Sequence, residues 1–407
     1  MARGDDIILK NTLGEATIAI HGAEGERVPG EAVAKPPILA TSYFTHPDAI
    51  GFSASDLKAD APHFYTRWSN PTLELLERRV ALLEGAEAAV SFTSGMAAIV
   101  TLFHDRLQAG DHLLLSNVCY AGVSEYAHHT LHRSGIEVSA VDTSRPENVA
   151  AAMRPNTRLV HIETPANPIL RITDIAAVAK LAHAGGAELS VDSTIATPLA
   201  TRPLDLGADY VCHSLTKYFC GHGDALGGAI VGRADRMAAL RKDGLIHMGG
   251  VLSPFAAYLI LRGMETMPLR MERHEANARK VAEFLEGHAK VRRVLWPGLR
   301  THPGHEIAAR QMRNFSSLLS FSLKADSAAM ARQVAERLQV VSYAVSLGAA
   351  KSLCFYISTD DILRSSFPLT GADEHAYREQ AGEGVFRLSV GLEDANDIIA
   401  DLQQALG

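Results

Sequence analysis

Residues 210–224 read Y-V-C-H-S-L-T-K-Y-F-C-G-H-G-D, and the character of the chain changes twice within them. Tyr210–His213 is a short apolar run, Ser214-Leu215-Thr216-Lys217 is polar, and Gly221-His222-Gly223-Asp224 is a turn. An apolar run this short, bounded by turn signals, reads as a buried strand that delivers Lys217 to its end. Outward from it, similar runs predict strands near Leu189–Asp192, Leu159–Ile162, Ile136–Val141, His112–Leu115, Ala88–Phe92 and Gly228–Val231. Between them lie segments of helical period, such as Ile175–Ala184. Alternation of this kind implies an α/β fold, a mostly parallel sheet covered by helices on both faces. Ligands of such sheets sit beyond the C-terminal ends of the strands.

Further out, Leu73, Leu76, Val80 and Leu83 recur at spacings of three and four, and Gly85 ends that helix. Residues 1–67 read as an irregular arm that lies on another surface, such as a second subunit. A helical stretch from Pro254 to Gly287 breaks near Met267-Pro268. Beyond it, strands near Ser317–Leu323, Val340–Val345 and Val385–Val390 suggest a smaller C-terminal α/β domain. The expected division is an arm over 1–67, a large domain over 68–262 and a small domain over 263–407.

Composition is that of an ordinary globular chain, 47% hydrophobic and 21% charged over 407 residues. The formal charge of −7 argues against a nucleic-acid binder, which needs a basic face. Cys119, Cys212, Cys220 and Cys354 show no C-x-x-C spacing and read as buried free thiols. The acidic start MARGDDIILK lacks the apolar core of a signal peptide, and no apolar run is long enough for a bilayer. The expected setting is cytoplasmic, with no membrane or nucleic-acid partner.

Five pieces carry chemistry. Lys217 at a strand end can be desolvated into a neutral amine suited to Schiff-base formation, with Ser214 and Thr216 as phosphate donors. Asp192, in S-V-D-S-T, ends another strand; a buried carboxylate needs a cation, and the ring nitrogen of pyridoxal 5′-phosphate (PLP) is one. The competing reading of Asp192 is a helix cap. Ser94-Gly95-Met96, between a strand and a helix, exposes backbone N–H groups to a phosphate. Tyr65 and Arg67, in an extended segment, would point the same way toward a phosphate. Arg387 on an apolar strand needs an anion, which is either an internal carboxylate or a substrate's α-carboxylate. Glu125, His128, His129 and His132 have helical spacing that could hold a metal, but a solvated helix face explains them better, and no metal is expected. No G-x-S-x-G elbow is present.

On these residues, and on E-T-P-A-N-P (Glu163–Pro168), H-S-L-T-K-Y (His213–Tyr218), V-S-L-G (Val345–Gly348) and R-L-S-V-G-L-E-D (Arg387–Asp394), the chain resembles the Cys/Met-metabolism, or trans-sulfuration, PLP enzymes of fold type I. It is most like their methionine γ-lyase and cystathionine γ-lyase members. The resemblance implies that Lys217 holds the cofactor and shuttles protons, and that Asp192 pairs with its ring nitrogen. It implies that Gly95, Met96, Ser214 and Thr216 hold the phosphate, while Tyr65 and Arg67 reach the neighbouring subunit's phosphate. Tyr120 would stack on the ring and protonate the leaving group; Asn167 would sit beside the ring hydroxyl. Arg387, with Ser346 and Asn167, would receive the substrate carboxylate. A pocket shared in this way implies a homo-oligomer, a dimer at least and usually a tetramer.

The chain departs from methionine γ-lyases at Gly122, where they carry Cys, at Ile246-His247, where they carry Lys-Asp, and at Lys351, where Glu is usual. The implied reaction is γ-elimination through a vinylglycine-type intermediate from a methionine-, cystathionine- or homocysteine-like substrate, or from a non-sulfur analogue such as canavanine. The alternative is γ-replacement, as in O-acetyl- or O-succinylhomoserine sulfhydrylases and cystathionine γ-synthase.

Overall fold

The computed structural model describes residues 13–24, 29–45, 53, 63–325 and 327–407. Much of the expected arm, including most of residues 1–62, lies outside them. Twelve strands follow in chain order among the described residues: β1 Ala88–Phe92, β2 His112–Ser116, β3 Glu137–Val141, β4 Thr157–Glu163, β5 Glu188–Asp192, β6 Tyr210–His213, β7 Gly228–Gly232, β8 Val291–Leu295, β9 Leu318–Leu323, β10 Ser342–Tyr343, β11 Leu353–Ser358 and β12 Gly384–Ser389.

The chain divides into two compact units, neither a single run of sequence. One comprises Met1–Arg106 with Asp209–Pro268, and the other Leu107–Ala208 with Leu269–Gly407. In the first unit the strands run β1-β7-β6, with β7 antiparallel to both neighbours. Its helix Pro71–Glu84 is bounded by local chemistry. Asn70 accepts hydrogen bonds from Thr72 N (2.8 Å) and Leu73 N (3.4 Å), Pro71 supplies a preset φ, and Gly85 closes the helix at φ 69°.

In the second unit β5-β4-β2-β3 are all parallel, and β2 and β5 are buried along nearly their whole length. A strand covered on both faces by helices needs apolar side chains on both, and H-L-L-L-S supplies them. A second sheet, β10-β11-β12-β9-β8, is mixed. Its core gathers Val294, Trp296, Phe321, Phe386 and Leu388 with the helices Met267–Gly287 and Ala395–Leu406.

The expected break near Met267-Pro268 falls at Glu265-Thr266, between the helices Pro254–Met264 and Met267–Gly287. Two strands have no counterpart among those expected. β8 reads V-R-R-V-L, where two arginines hide the apolar pattern, and β11 precedes a helix without a turn signal. The expected Val340–Val345 strand shrinks to two residues. A seven-residue π-helix, Arg241–His247, was also unexpected; such segments break the regular helical ladder and recur at functional sites.

Candidate active site

In the first unit, β1 ends at Phe92, and Ser94 starts the helix Gly95–Arg106 by accepting from Ala97 N through its hydroxyl (3.1 Å). A Cβ on Gly95 would stand 3.0 Å from the Ser214 Cβ, so the turn rests against the end of β6. On its other side, a Cβ on Gly228 would lie 2.2 Å from the Ser94 carbonyl oxygen. Glycine at both positions leaves a cradle of backbone N–H groups beside the Ser214 side chain, with Met96 half-buried on the next residue. Gly228→Ala should therefore force that turn off β7 and lower stability by about 3 kcal/mol, read as a depressed melting temperature.

Ser214–Lys217 follows β6 as a turn. Lys217 N donates to the Ser214 carbonyl (3.2 Å), and Lys217 itself is half-buried. The Thr216 hydroxyl accepts from Gly227 N (3.0 Å) and lies 3.2 Å from the Gly227 carbonyl, closing the neck of the loop between them. Immediately upstream, His213 and Glu84 form a fully buried pair at 2.6 Å. Nothing in the sequence reading pointed to Glu84.

Tyr65 and Arg67 are not on an extended segment. Trp68 N and Ser69 N both donate to the Tyr65 carbonyl, which folds residues 65–69 into a turn. The two side chains still meet, with the Arg67 guanidinium carbon 5.6 Å from the centroid of the Tyr65 ring. Arg67 also donates to the carbonyl of Ile246 in the π-helix, and Arg241 of that helix pairs with buried Glu77. His247 pairs with Asp243 at 3.0 Å on the surface.

In the second unit, Glu163 and Asp192 are the last residues of β4 and β5, and the parallel register sets them side by side. Both are buried. Asp192 is not a helix cap: its Oδ1 accepts from Thr194 N (3.0 Å), and the next helix begins only at Thr197. Glu163 Oε2 accepts from Tyr120 N, and its Oε1 from Asn167 N (2.8 Å). Burial first, and then the neighbouring Asp192, push the Glu163 carboxyl well above the usual range, against the pull of those two N–H groups and of Arg387. Two residues back on the same strands, His161 meets the Ser190 hydroxyl at 2.6 Å. Burial takes that imidazole down to about 3, so it stays neutral.

Asn167 lies between two cis peptide bonds, Thr164-Pro165 and Asn167-Pro168. Its Oδ1 accepts from Arg387 Nη1 (3.2 Å), and Arg387 Nη2 donates to the Ser346 carbonyl (3.1 Å). Ser346 holds φ at 90°, a conformation rare for a side-chain-bearing residue and recurrent at ligand sites. Arg387 is thereby fixed by two neutral oxygens, an arrangement suited to an incoming carboxylate. Tyr120, half exposed, stands at the N-terminus of the helix Ala121–His129, two residues before Gly122. Of the expected residues, this unit ties Tyr120 and Asn167 together through Glu163, and Arg387 to both Asn167 and Ser346.

Among the described residues, no group of three or more His, Cys, Asp or Glu could hold a metal ion. Glu125 accepts instead from the Ser366 hydroxyl (2.6 Å), and His128 bonds the Ser124 carbonyl (2.8 Å). No helix among the described residues is long and apolar enough to cross a membrane.

Residues 16–407 match the family described as Cys/Met metabolism PLP-dependent enzyme. An L-methionine gamma-lyase of Fusobacterium nucleatum subsp. polymorphum is 44% identical over 397 residues, 97% of this chain and 98% of that protein. A canavanine gamma-lyase of Pseudomonas canavaninivorans is 38% identical over 399 residues, 97% of each. Among solved structures, that of metB from Corynebacterium glutamicum superposes with a TM-score of 0.87 at 38% identity, covering 98% of both chains.

Proposed function

The chain belongs to the Cys/Met-metabolism family of PLP-dependent enzymes, a fold type I α/β lyase of the trans-sulfuration group, and on that premise we propose how its residues remove the γ-substituent of an L-amino acid. The residues suit the cofactor. A Cβ at Gly95 or Gly228 would strike Ser214 or Ser94, so glycine lets the start of the helix Gly95–Arg106 stand beside the Ser214 side chain, as a phosphate cradle at a helix N-terminus requires, and Asp192 offers a buried carboxyl group that a ring cation complements. When bound, PLP supplies an electron sink for the carbanion at Cα.

Lys217 Nζ would hold the cofactor covalently and, once free, would take the Cα proton. Asp192 would pair with the ring nitrogen and keep it charged. Gly95 and Met96 N–H groups with the Ser214 and Thr216 hydroxyls hold the phosphate, and Tyr65 and Arg67 complete that site on a neighbouring subunit. Arg387, with Asn167 and Ser346, receives the α-carboxylate. Tyr120 would cover the ring and give its proton to the departing γ-group. For methionine the balance is substrate plus water to methanethiol, ammonia and 2-oxobutanoate.

The observation that carries this reading is the Arg387–Asn167–Glu163–Tyr120 chain of hydrogen bonds, which links the Arg387 guanidinium to the backbone of Tyr120. A hydroxyguanidine leaving group, as in canavanine, is the second reading. It is favoured by the departures at Gly122, Ile246 and His247 from the residues usual in methionine γ-lyases, and by relatives named canavanine gamma-lyase. Lys351, exposed on the Ser346–Ser352 loop, is a further altered position.

The organisation that goes with this function is an arm over 1–67, a large domain over 68–262 and a small domain over 263–407. A homo-oligomer, a tetramer built of dimers with shared sites, is supported by exposed apolar side chains of the first unit: Val33, Leu39, Phe44, Leu226, Met248 and Phe255. Four buried free thiols fit a reducing cytoplasm.

The test is a substrate panel. Purified enzyme with methionine, cystathionine, canavanine and O-acetylhomoserine, with and without sulfide, should release 2-oxobutanoate or, from canavanine, homoserine. Homocysteine formed only with sulfide, and no elimination product from any substrate, would reassign the chain to γ-replacement.

A further inference from the structure

Glu163 has no counterpart among the residues assigned above to cofactor or substrate, yet three of them surround it. Its two carboxyl oxygens divide between two backbone donors, Tyr120 N on the segment after β2 and Asn167 N four residues on in its own chain segment. Those donors belong to the residue assigned to the leaving group and to the one that orients Arg387. Its third neighbour is Asp192, in register on β5.

A carboxylate is a costly means of satisfying two N–H groups in a buried place. It must be desolvated, and it stands beside a second buried carboxylate. The charged and titratable groups that act on it are Asp192 from β5 and Arg387 from β12, and the Cys119 thiol is itself pushed up by burial and by both carboxylates. A carboxyl group has one property here that a single amide or hydroxyl lacks: two equivalent acceptor oxygens in one plane, able to hold two peptide groups from different segments at a fixed separation.

We infer that Glu163 is a positioning residue for the elimination, setting Tyr120 and Asn167 relative to one another so that the leaving-group acid and the carboxylate anchor move as one piece. This rests on the roles given to Tyr120 and Asn167 above. It implies that losing one of the two bonds displaces Tyr120 from the γ-group while Arg387 keeps its other holds, so turnover suffers more than binding. Displacement of about 1 Å in a catalytic group costs up to roughly a hundredfold in rate.

Glu163→Gln tests this, because the amide can accept only one of the two N–H groups. The expected result is a fall in kcat of roughly ten- to a hundredfold with KM changed by less than about threefold. In the cofactor-free protein, amide exchange at Tyr120 or Asn167 should accelerate while the melting temperature stays within a few degrees, since relief of the repulsion from Asp192 offsets the lost bond. The discriminating comparison is with Tyr120→Phe. If Glu163 acts through Tyr120, E163Q/Y120F should be little worse than Y120F alone. Losses that multiply in the double variant, or E163Q at parental kcat beside an impaired Y120F, would overturn the inference and leave the wider reading standing. Y120F at the parental rate would overturn both. Should E163Q fail to fold, Glu163→Asp, whose shorter carboxyl spans only one donor, enters the same comparison with the same expectations.

Discussion

Lys217→Ala should reduce γ-elimination by at least roughly four orders of magnitude, about 5 kcal/mol of transition-state stabilisation. On the proposed roles, two functions would vanish with one amine: the covalent hold on the cofactor, and the base that removes the Cα proton. Neither has a substitute on that turn, where Ser214 and Thr216 offer only hydroxyls and Thr216 is engaged with Gly227. The fold should tolerate the change. Lys217 is half-buried on a turn held by backbone bonds, from Lys217 N to the Ser214 carbonyl and from Gly221 N to the Lys217 carbonyl, and these survive truncation. The variant should keep its melting temperature within a few degrees while losing bound cofactor on dialysis. Turnover of K217A at the parental rate would refute the assignment.

Asp192→Asn should be the next most damaging change, lowering kcat by about a hundred- to a thousandfold, or about 3–4 kcal/mol. The substitution is nearly isosteric and its oxygen can still accept from Thr194 N, so it removes charge with little change of shape. If Asp192 is the partner proposed above, a ring cation left without it would lose its proton, and the electron sink would weaken with it. The cofactor-free protein should respond in the opposite sense. With Asp192 neutral, Glu163 no longer faces a second carboxylate at the end of β5, so D192N should be as stable as the parent or more stable. Titration of the apoprotein with PLP, beside its melting curve, separates the two effects. A D192N protein that melts well below the parent yet binds PLP normally would show that Asp192 is a structural residue.

The legibility of these sites in sequence follows from the physics of parallel strands. Asp192, Glu163 and Lys217 all end or follow short, largely apolar runs, and a charged residue at such a place stands out against them. Asn70 and Gly85 bracket their helix by side-chain chemistry that is local, and so is readable from neighbours alone. Where contacts are long-range, the sequence is silent. Glu163 stands in a recognisable motif, but its bond to Tyr120 spans more than forty residues and depends on the register of β4 against β2 and β5. The Glu84–His213 pair joins residues far apart in the chain, and neither has a spacing that would flag it. Tyr65 and Arg67 were expected to be aligned by an extended backbone; a tight turn brings them together instead, because the Tyr65 carbonyl captures two N–H groups. β8 was missed because the pattern V-R-R-V-L does not alternate, its register slipping between Val291 and Arg293.

The covalent hold proposed for Lys217 is open to direct chemical trapping. Borohydride treatment of the PLP-loaded protein, followed by proteolysis and mass spectrometry of the peptides, should find the reduced cofactor attached to Lys217 Nζ and to no other lysine. Attachment at a different lysine, or a fully loaded protein that traps no cofactor at all, would contradict the account.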